Sequence, residues 1–125
     1  MNSSSVWKYP SGKTMKTSTF IDGKLEDKSL SFFPNGQISE ERFYVGGKLE
    51  GEIVTYFESG TVLSTRPYVN GQLNGRMVVY YPDGSIRRWT DFQAGERHGI
   101  DIGWDVFGTM LFCEEWQNGK RTKKI

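Results

Sequence analysis

Apolar and polar residues recur along this chain with a period of 24. The opening position of the unit reads Phe20, Tyr44, Tyr68, Phe92 and Trp116, always aromatic. Ten residues later stand Leu30, Val54, Val78 and Ile102, and two further on Phe32, Tyr56, Tyr80 and Trp104. Past the next glycine come Ile38, Val62, Ile86 and Met110. Within each unit the apolar positions alternate at period two and favour β-branched and aromatic types, which predicts strands. A helical period is absent. The longest glycine-free stretch runs from Lys24 to Asn35, with Pro34 near its end. A mean helix needs about 11–12 residues, so no substantial helix is predicted.

The turns follow the same period. One glycine series falls at 23, 47, 71, 95 and 119, and a second at 12, 36, 60, 84 and 108. Asn70-Gly71 and Asn118-Gly119 are two-residue hairpin signals, with Gly46-Gly47 and Ala94-Gly95 in the same place. Tyr9-Pro10-Ser11-Gly12, Phe33-Pro34-Asn35-Gly36 and Tyr81-Pro82-Asp83-Gly84 place proline where a turn starts and glycine where φ turns positive. Glu58-Ser59-Gly60 and Val106-Phe107-Gly108 keep the glycine without the proline. Gly51, Gly75 and Gly99 fall early in a strand, where glycine marks a bulge or bend.

These signals predict an all-β fold: an elongated, open antiparallel meander of repeated β-hairpins, with roughly nine or ten strands. The chain forms one domain. A half repeat covers 6–19, full repeats cover 20–43, 44–67, 68–91 and 92–115, and a partial repeat covers 116–125. Residues 1–5 are expected to fray. Ser3–Ser5 and the run Lys120-Arg121-Thr122-Lys123-Lys124 are expected to guard the sheet's edges, the latter as a solvated tail. Alternation assigns Leu30/Phe32, Val54/Tyr56, Val78/Tyr80 and Ile102/Trp104 to a buried stripe. The opposite, outward face then carries Ser29/Ser31/Phe33, Ile53/Thr55/Phe57, Met77/Val79/Tyr81 and Asp101/Gly103/Asp105.

Composition narrows the function. Hydrophobic residues make up 36 % of the chain. Even with glycine counted, the apolar share falls just short of the roughly 45–50 % of globular proteins. Such a thin core suits a repeat protein that buries surface between neighbours. Net charge is +1, which gives no electrostatic reason for nucleic acid or an anionic membrane as partner. The single Cys113 admits no internal disulfide and favours a reducing, cytoplasmic setting. No secretory leader and no apolar run of membrane-spanning length is visible.

Catalytic chemistry is not signalled. His98 sits at a repeat-turn position matched by Glu50 and Asn74, with no nucleophile or carboxylate placed to work with it. One Cys and one His cannot make a four-ligand zinc site of the usual kind. The glycines lie between strands, so they form no phosphate-cradling loop. No cofactor, no metal and no enzyme activity is expected. A surface remains. Phe57, Met77, Val79 and Tyr81 make the outward face apolar in mid-sheet, and Arg87, Arg88 and Trp89 follow. Trp89 departs from a column that holds Glu41, Thr65 and Cys113. These seven residues are the partner-binding candidates.

Tyr68-x-Asn70-Gly71-x-x-x-Gly75, followed by Tyr80-Tyr81-Pro82-Asp83-Gly84, resembles the MORN repeat, and more closely its bacterial variant form. Phe92-x-x-Gly95-Glu96-Arg97-His98-Gly99 and Trp116-Gln117-Asn118-Gly119-Lys120-Arg121 match the same piece. The resemblance covers nearly everything from Tyr9 to Arg121. Thr65-Arg66-Pro67 and Thr90-Asp91 replace the tyrosine–x–glycine step that opens many MORN units, and the unit is slightly long. Both departures point to the variant class and away from the phospholipid-binding role attached to the name. The resemblance implies a stack of β-hairpins without a cofactor, in a group with antitoxin and immunity members. The expected function is therefore a non-catalytic, cytoplasmic module that occludes a toxin partner through a sheet face. A self-associating or partner-organising scaffold is the alternative, and membrane-surface binding a weaker third.

Overall fold

A computed structural model describes all 125 residues. They form one antiparallel sheet whose strands follow each other in sequence order. The path runs through β1 (Asn2–Lys8), β2 (Thr14–Ile21), β3 (Lys24–Phe32), β4 (Ile38–Val45), β6 (Gly51–Tyr56), β7 (Val62–Val69) and β9 (Gly75–Tyr80). It continues through β10 (Ile86–Gln93), β11 (Glu96–Trp104), β12 (Met110–Gln117) and β13 (Lys120–Lys124). Two-residue strands β5 (Lys48–Leu49) and β8 (Gln72–Leu73) pair only with β4 and β7. No helix is long and apolar enough to cross a membrane.

The meander expected from the sequence is present, with 13 strands in place of nine or ten. Two differences explain the count. At Glu50 and Asn74 the strand breaks in two, and the amides there donate to the Phe43 and Pro67 carbonyls, each at 2.9 Å. The chain termini add the rest. Residues 2–5 do not fray: they pair from Asn2↔Ile21 to Ser5↔Ser18. The Met1 amino group also meets Asp22 Oδ1 at 2.5 Å. A ladder satisfies backbone groups whatever the side chain, so a serine run suffices. The lysine-rich end is likewise an outer strand, β13, and not a tail.

Each hairpin is tied to the one before it. The amides of Gly46, Asn70, Ala94 and Asn118 donate to side chains of Glu26, Glu50, Asn74 and His98, respectively. The amides of Gly47, Gly71, Gly95 and Gly119 donate to the carbonyls of Leu25, Leu49, Leu73 and Arg97 at 2.8–3.0 Å. One column of acceptors thus joins every repeat to its neighbour, and His98 is its last member. Asp22-Gly23, Gly46-Gly47, Asn70-Gly71, Ala94-Gly95 and Asn118-Gly119 all have positive φ at both residues, as a type I′ turn requires.

The sheet is a single layer. Its accessible surface is 7797 Å², against roughly 6,800 Å² for a compact monomer of this mass. The expected buried stripe is overturned. Ser18, Ser29, Tyr44, Ile53, Ser64, Thr90, Asp101 and Gly103 are buried, and register places all of them on the face expected to point outward. The supposed core stripe of Leu30, Val54, Val78, Ile102 and their aromatic companions is only half-buried. No second layer covers it, so burial comes from neighbours on the same face. Small residues set among long Arg, Lys and Tyr side chains are shielded. On the other face, large side chains standing beside others of equal height stay half-exposed.

Candidate protein-binding face

The two faces differ in chemistry. On one, a single ladder row crosses nine strands: Thr17, Leu30, Glu41, Val54, Thr65, Val78, Trp89, Ile102 and Cys113 are successive register partners. The row is mixed in its first half and wholly apolar from Val78 onward. Alternation sets Tyr56, Tyr80 and Trp104 beside it. The Trp89 and Trp104 rings meet edge to face, centroids 5.4 Å apart. Such pairs add about 0.5–1.5 kcal/mol beyond area burial. The Arg76 guanidinium lies 4.2 Å from the Trp89 ring centroid. Asp91 fixes it there with bonds from Nε at 2.8 Å and Nη2 at 3.3 Å. Burial pushes the Asp91 carboxyl up, but Arg76 and the Ile100 amide outweigh it and hold the carboxyl below its usual range. Trp89 Nε1 is buried without an acceptor. Cys113, at the row's end, is a buried free thiol.

The opposite face is polar and ionic. Arg88 donates to both oxygens of Asp101, Nε–Oδ1 2.9 Å and Nη2–Oδ2 2.6 Å. Thr90 Oγ1 donates to the same carboxylate at 2.9 Å. Burial pushes Asp101 up; the bonds from Arg88 and Thr90, with the charges of Arg88 and Arg97, more than offset this and keep it below the carboxylate range. Arg88 lies over the Phe112 ring, 5.1 Å from its centroid. Phe112 in turn requires Gly103, its register partner: a Cβ there would sit 2.5 Å from the ring. Fourteen glycines have positive φ and Gly103 does not, so Gly103 serves packing rather than conformation. Further along this face Arg42 pairs with Glu40, and Arg121 with Glu114 at 3.1 Å.

The seven sequence candidates do not form one patch. Met77, Val79 and Arg88 share the ionic face, and Trp89 stands on the other. Phe57 and Tyr81 open turns, accepting hydrogen bonds from Gly60 and Gly84. The Tyr81 hydroxyl is occupied, donating to the Trp104 carbonyl at 2.7 Å. Arg87 sits at a break in the β9–β10 register, exposed, 5.8 Å from the Tyr81 centroid. Trp104 and Tyr80 escaped the sequence reading because they were assigned to a core. Asp101 carried a legible signal: it is the one acid in the column of Ser29, Ile53 and Met77. His98 lines a shallow cleft with Glu115, Trp116 and Thr122, but its Nδ1 already accepts the Asn118 amide at 3.3 Å.

Residues 28–45 and 49–70 match the model of the MORN repeat variant family. These stretches are MORN-variant repeats. They cover the second half of β3, all of β4, Leu49 of β5, and all of β6 and β7. The same turns and latches continue to the β12–β13 hairpin, and the ladder row to β12. MORN repeats in general are non-enzymatic and act as protein-binding or membrane-associating modules. No curated protein matches the chain.

Proposed function

We propose that this MORN-variant chain is a non-catalytic protein-binding module, an immunity or antitoxin protein that occludes a toxin with the Trp89 face of its sheet. One observation carries the reading: from Val78 through Trp89 to Ile102 the ladder row is wholly apolar, and with Tyr80 and Trp104 it lies half-exposed with no layer over it. Exposed apolar surface of this extent marks interaction sites, and Trp, Tyr and Arg dominate their energetics. Trp89, Trp104, Tyr80 and Arg76 supply all three types within one cluster. A preformed, rigid sheet loses little entropy on docking.

The test is capture of a toxin domain encoded beside this chain, with rescue of cells that express it. Trp89→Ala is expected to weaken capture about thirtyfold, matching a hot-spot loss of about 2 kcal/mol. Val45→Ala, at a residue 53 % exposed on the rim, leaves capture unchanged. Neither capture nor rescue by the unaltered chain would remove this reading. The scaffold alternative has an observation of its own: β1 is an outer strand without charge from Asn2 to Trp7, open to pairing with another strand.

A further inference from the structure

We infer that Arg66, on the ionic face, is a receptor for a carboxylate side chain of an acidic protein segment. Arginines on that face are otherwise spoken for. Arg42 is held by Glu40, Arg88 by Asp101 and Arg121 by Glu114, while Arg97 lies 3.8 Å from Asp101 and stacks on Trp116. Arg66 makes no ion pair, and its Nε is buried without an acceptor. Leaving a buried donor unsatisfied is costly, so an acceptor brought to it is bound with a gain. The repeat does not demand it: the same column holds Ser18, Arg42, Thr90 and Glu114.

The surroundings fit a carboxylate. The register partner of Arg66 is Ile53, which is 1 % exposed. An apolar floor of this kind strengthens a charge pair formed above it. Two residues along β7, the Tyr68 side chain stands half-buried with its hydroxyl unbonded within the chain. Its register partner is Gly51, where a Cβ would meet no atom within 4 Å. Arg66 thus offers a planar fork, Tyr68 a second donor, and Gly51 the open space between strands for an incoming side chain. A guanidinium fork takes a carboxylate in two parallel hydrogen bonds, which an ammonium cannot do. Charge complementarity selects the occupant: register places Lys16, Arg42, Arg66, Arg88, Arg97, Arg121 and Lys124 on this face, against Asp27, Glu40, Asp101 and Glu114. The site faces away from Trp89, so its test stands or falls independently of capture by the aromatic cluster.

The experiment follows the Arg66 Nε–H resonance of the full chain, labelled with ¹⁵N-arginine. The probes are acetyl-hexaglutamate-amide, acetyl-hexaglutamine-amide and the oligonucleotide (dT)8. Hexaglutamate is expected to shift the Arg66 signal saturably, and hexaglutamine to leave it in place. Arg66→Lys is expected to bind hexaglutamate about tenfold more weakly, the loss of one charge-assisted hydrogen bond. Assignment comes from the signal missing in Arg66→Gln. No shift at Arg66, an equal shift with hexaglutamine, or shifts confined to the β13 edge would overturn the proposal. Saturation by (dT)8 at lower concentration than hexaglutamate would also overturn it, assigning the face to nucleic acid.

Discussion

Replacing Gly99 by alanine is expected to destabilise the chain by about 3 kcal/mol. Two effects act together. Gly99 has φ near 121°, a conformation that L residues rarely adopt and that costs of order 1–3 kcal/mol when forced. A Cβ there would also stand 2.8 Å from both Cβ and Oδ2 of Asp91. Asp91 cannot step aside freely. Its carboxylate holds Arg76 and accepts the Ile100 amide at 3.1 Å. Overpacking a fixed neighbour adds about 1–3 kcal/mol. A fall in Tm of roughly 10 °C follows from the size scaling of unfolding entropy, and thermal denaturation followed by circular dichroism measures it. Gly12→Ala is the reference, since φ is +88° there but a Cβ would meet nothing within 4 Å. It isolates the conformational part and is expected to lose about 1 kcal/mol.

Asp101→Asn is expected to cost about 2 kcal/mol at neutral pH and much less in acid. The carboxylate side chain is 1 % exposed, while the Arg88 side chain is 39 % exposed. Breaking a fully buried pair costs about 3–5 kcal/mol. Half-exposed Arg88 can turn to water when its partner loses charge, so the lower figure applies. The folded-state pKa of Asp101 is depressed, so its contribution is complete above the unfolded value of about 3.9. That contribution is lost as pH falls through the lower, folded value. Asp91 titrates in the same direction. The difference in urea midpoint between the native chain and the variant is expected to be smaller at pH 2.5 than at pH 7. A gap that stays constant with pH would show that the ionised carboxylate contributes nothing.

The period, turns and antiparallel order were legible because each is local chemistry. Asn70-Gly71 specifies a hairpin, and Pro82-Asp83-Gly84 a turn, wherever they occur. Register followed from these, including which residues share a face. What alternation could not supply was the sign of burial. Val78, Tyr80, Ile102 and Trp104 have the composition of a core, yet core status needs a covering layer, and this sheet has one layer. Ser18, Ser29 and Ser64 look like surface residues and are buried because their neighbours are taller. The same gap split the candidate site, since Trp89 and Arg88 are adjacent in sequence and stand on opposite faces. The inter-repeat latches were hidden for another reason. Glu26, Glu50, Asn74 and His98 span three residue types and have in common only an acceptor atom at the right height.

The Trp89 face is the proposed docking face. Hydroxyl-radical footprinting of the chain, free and bound to the captured toxin domain, tests it most directly. Oxidation of Trp89, Trp104 and Tyr80 is expected to fall in the complex while Tyr68 and Trp116 on the ionic face stay as reactive as before. Unchanged labelling at Trp104 and Tyr80, with protection appearing at Tyr68 and Trp116, would contradict the account.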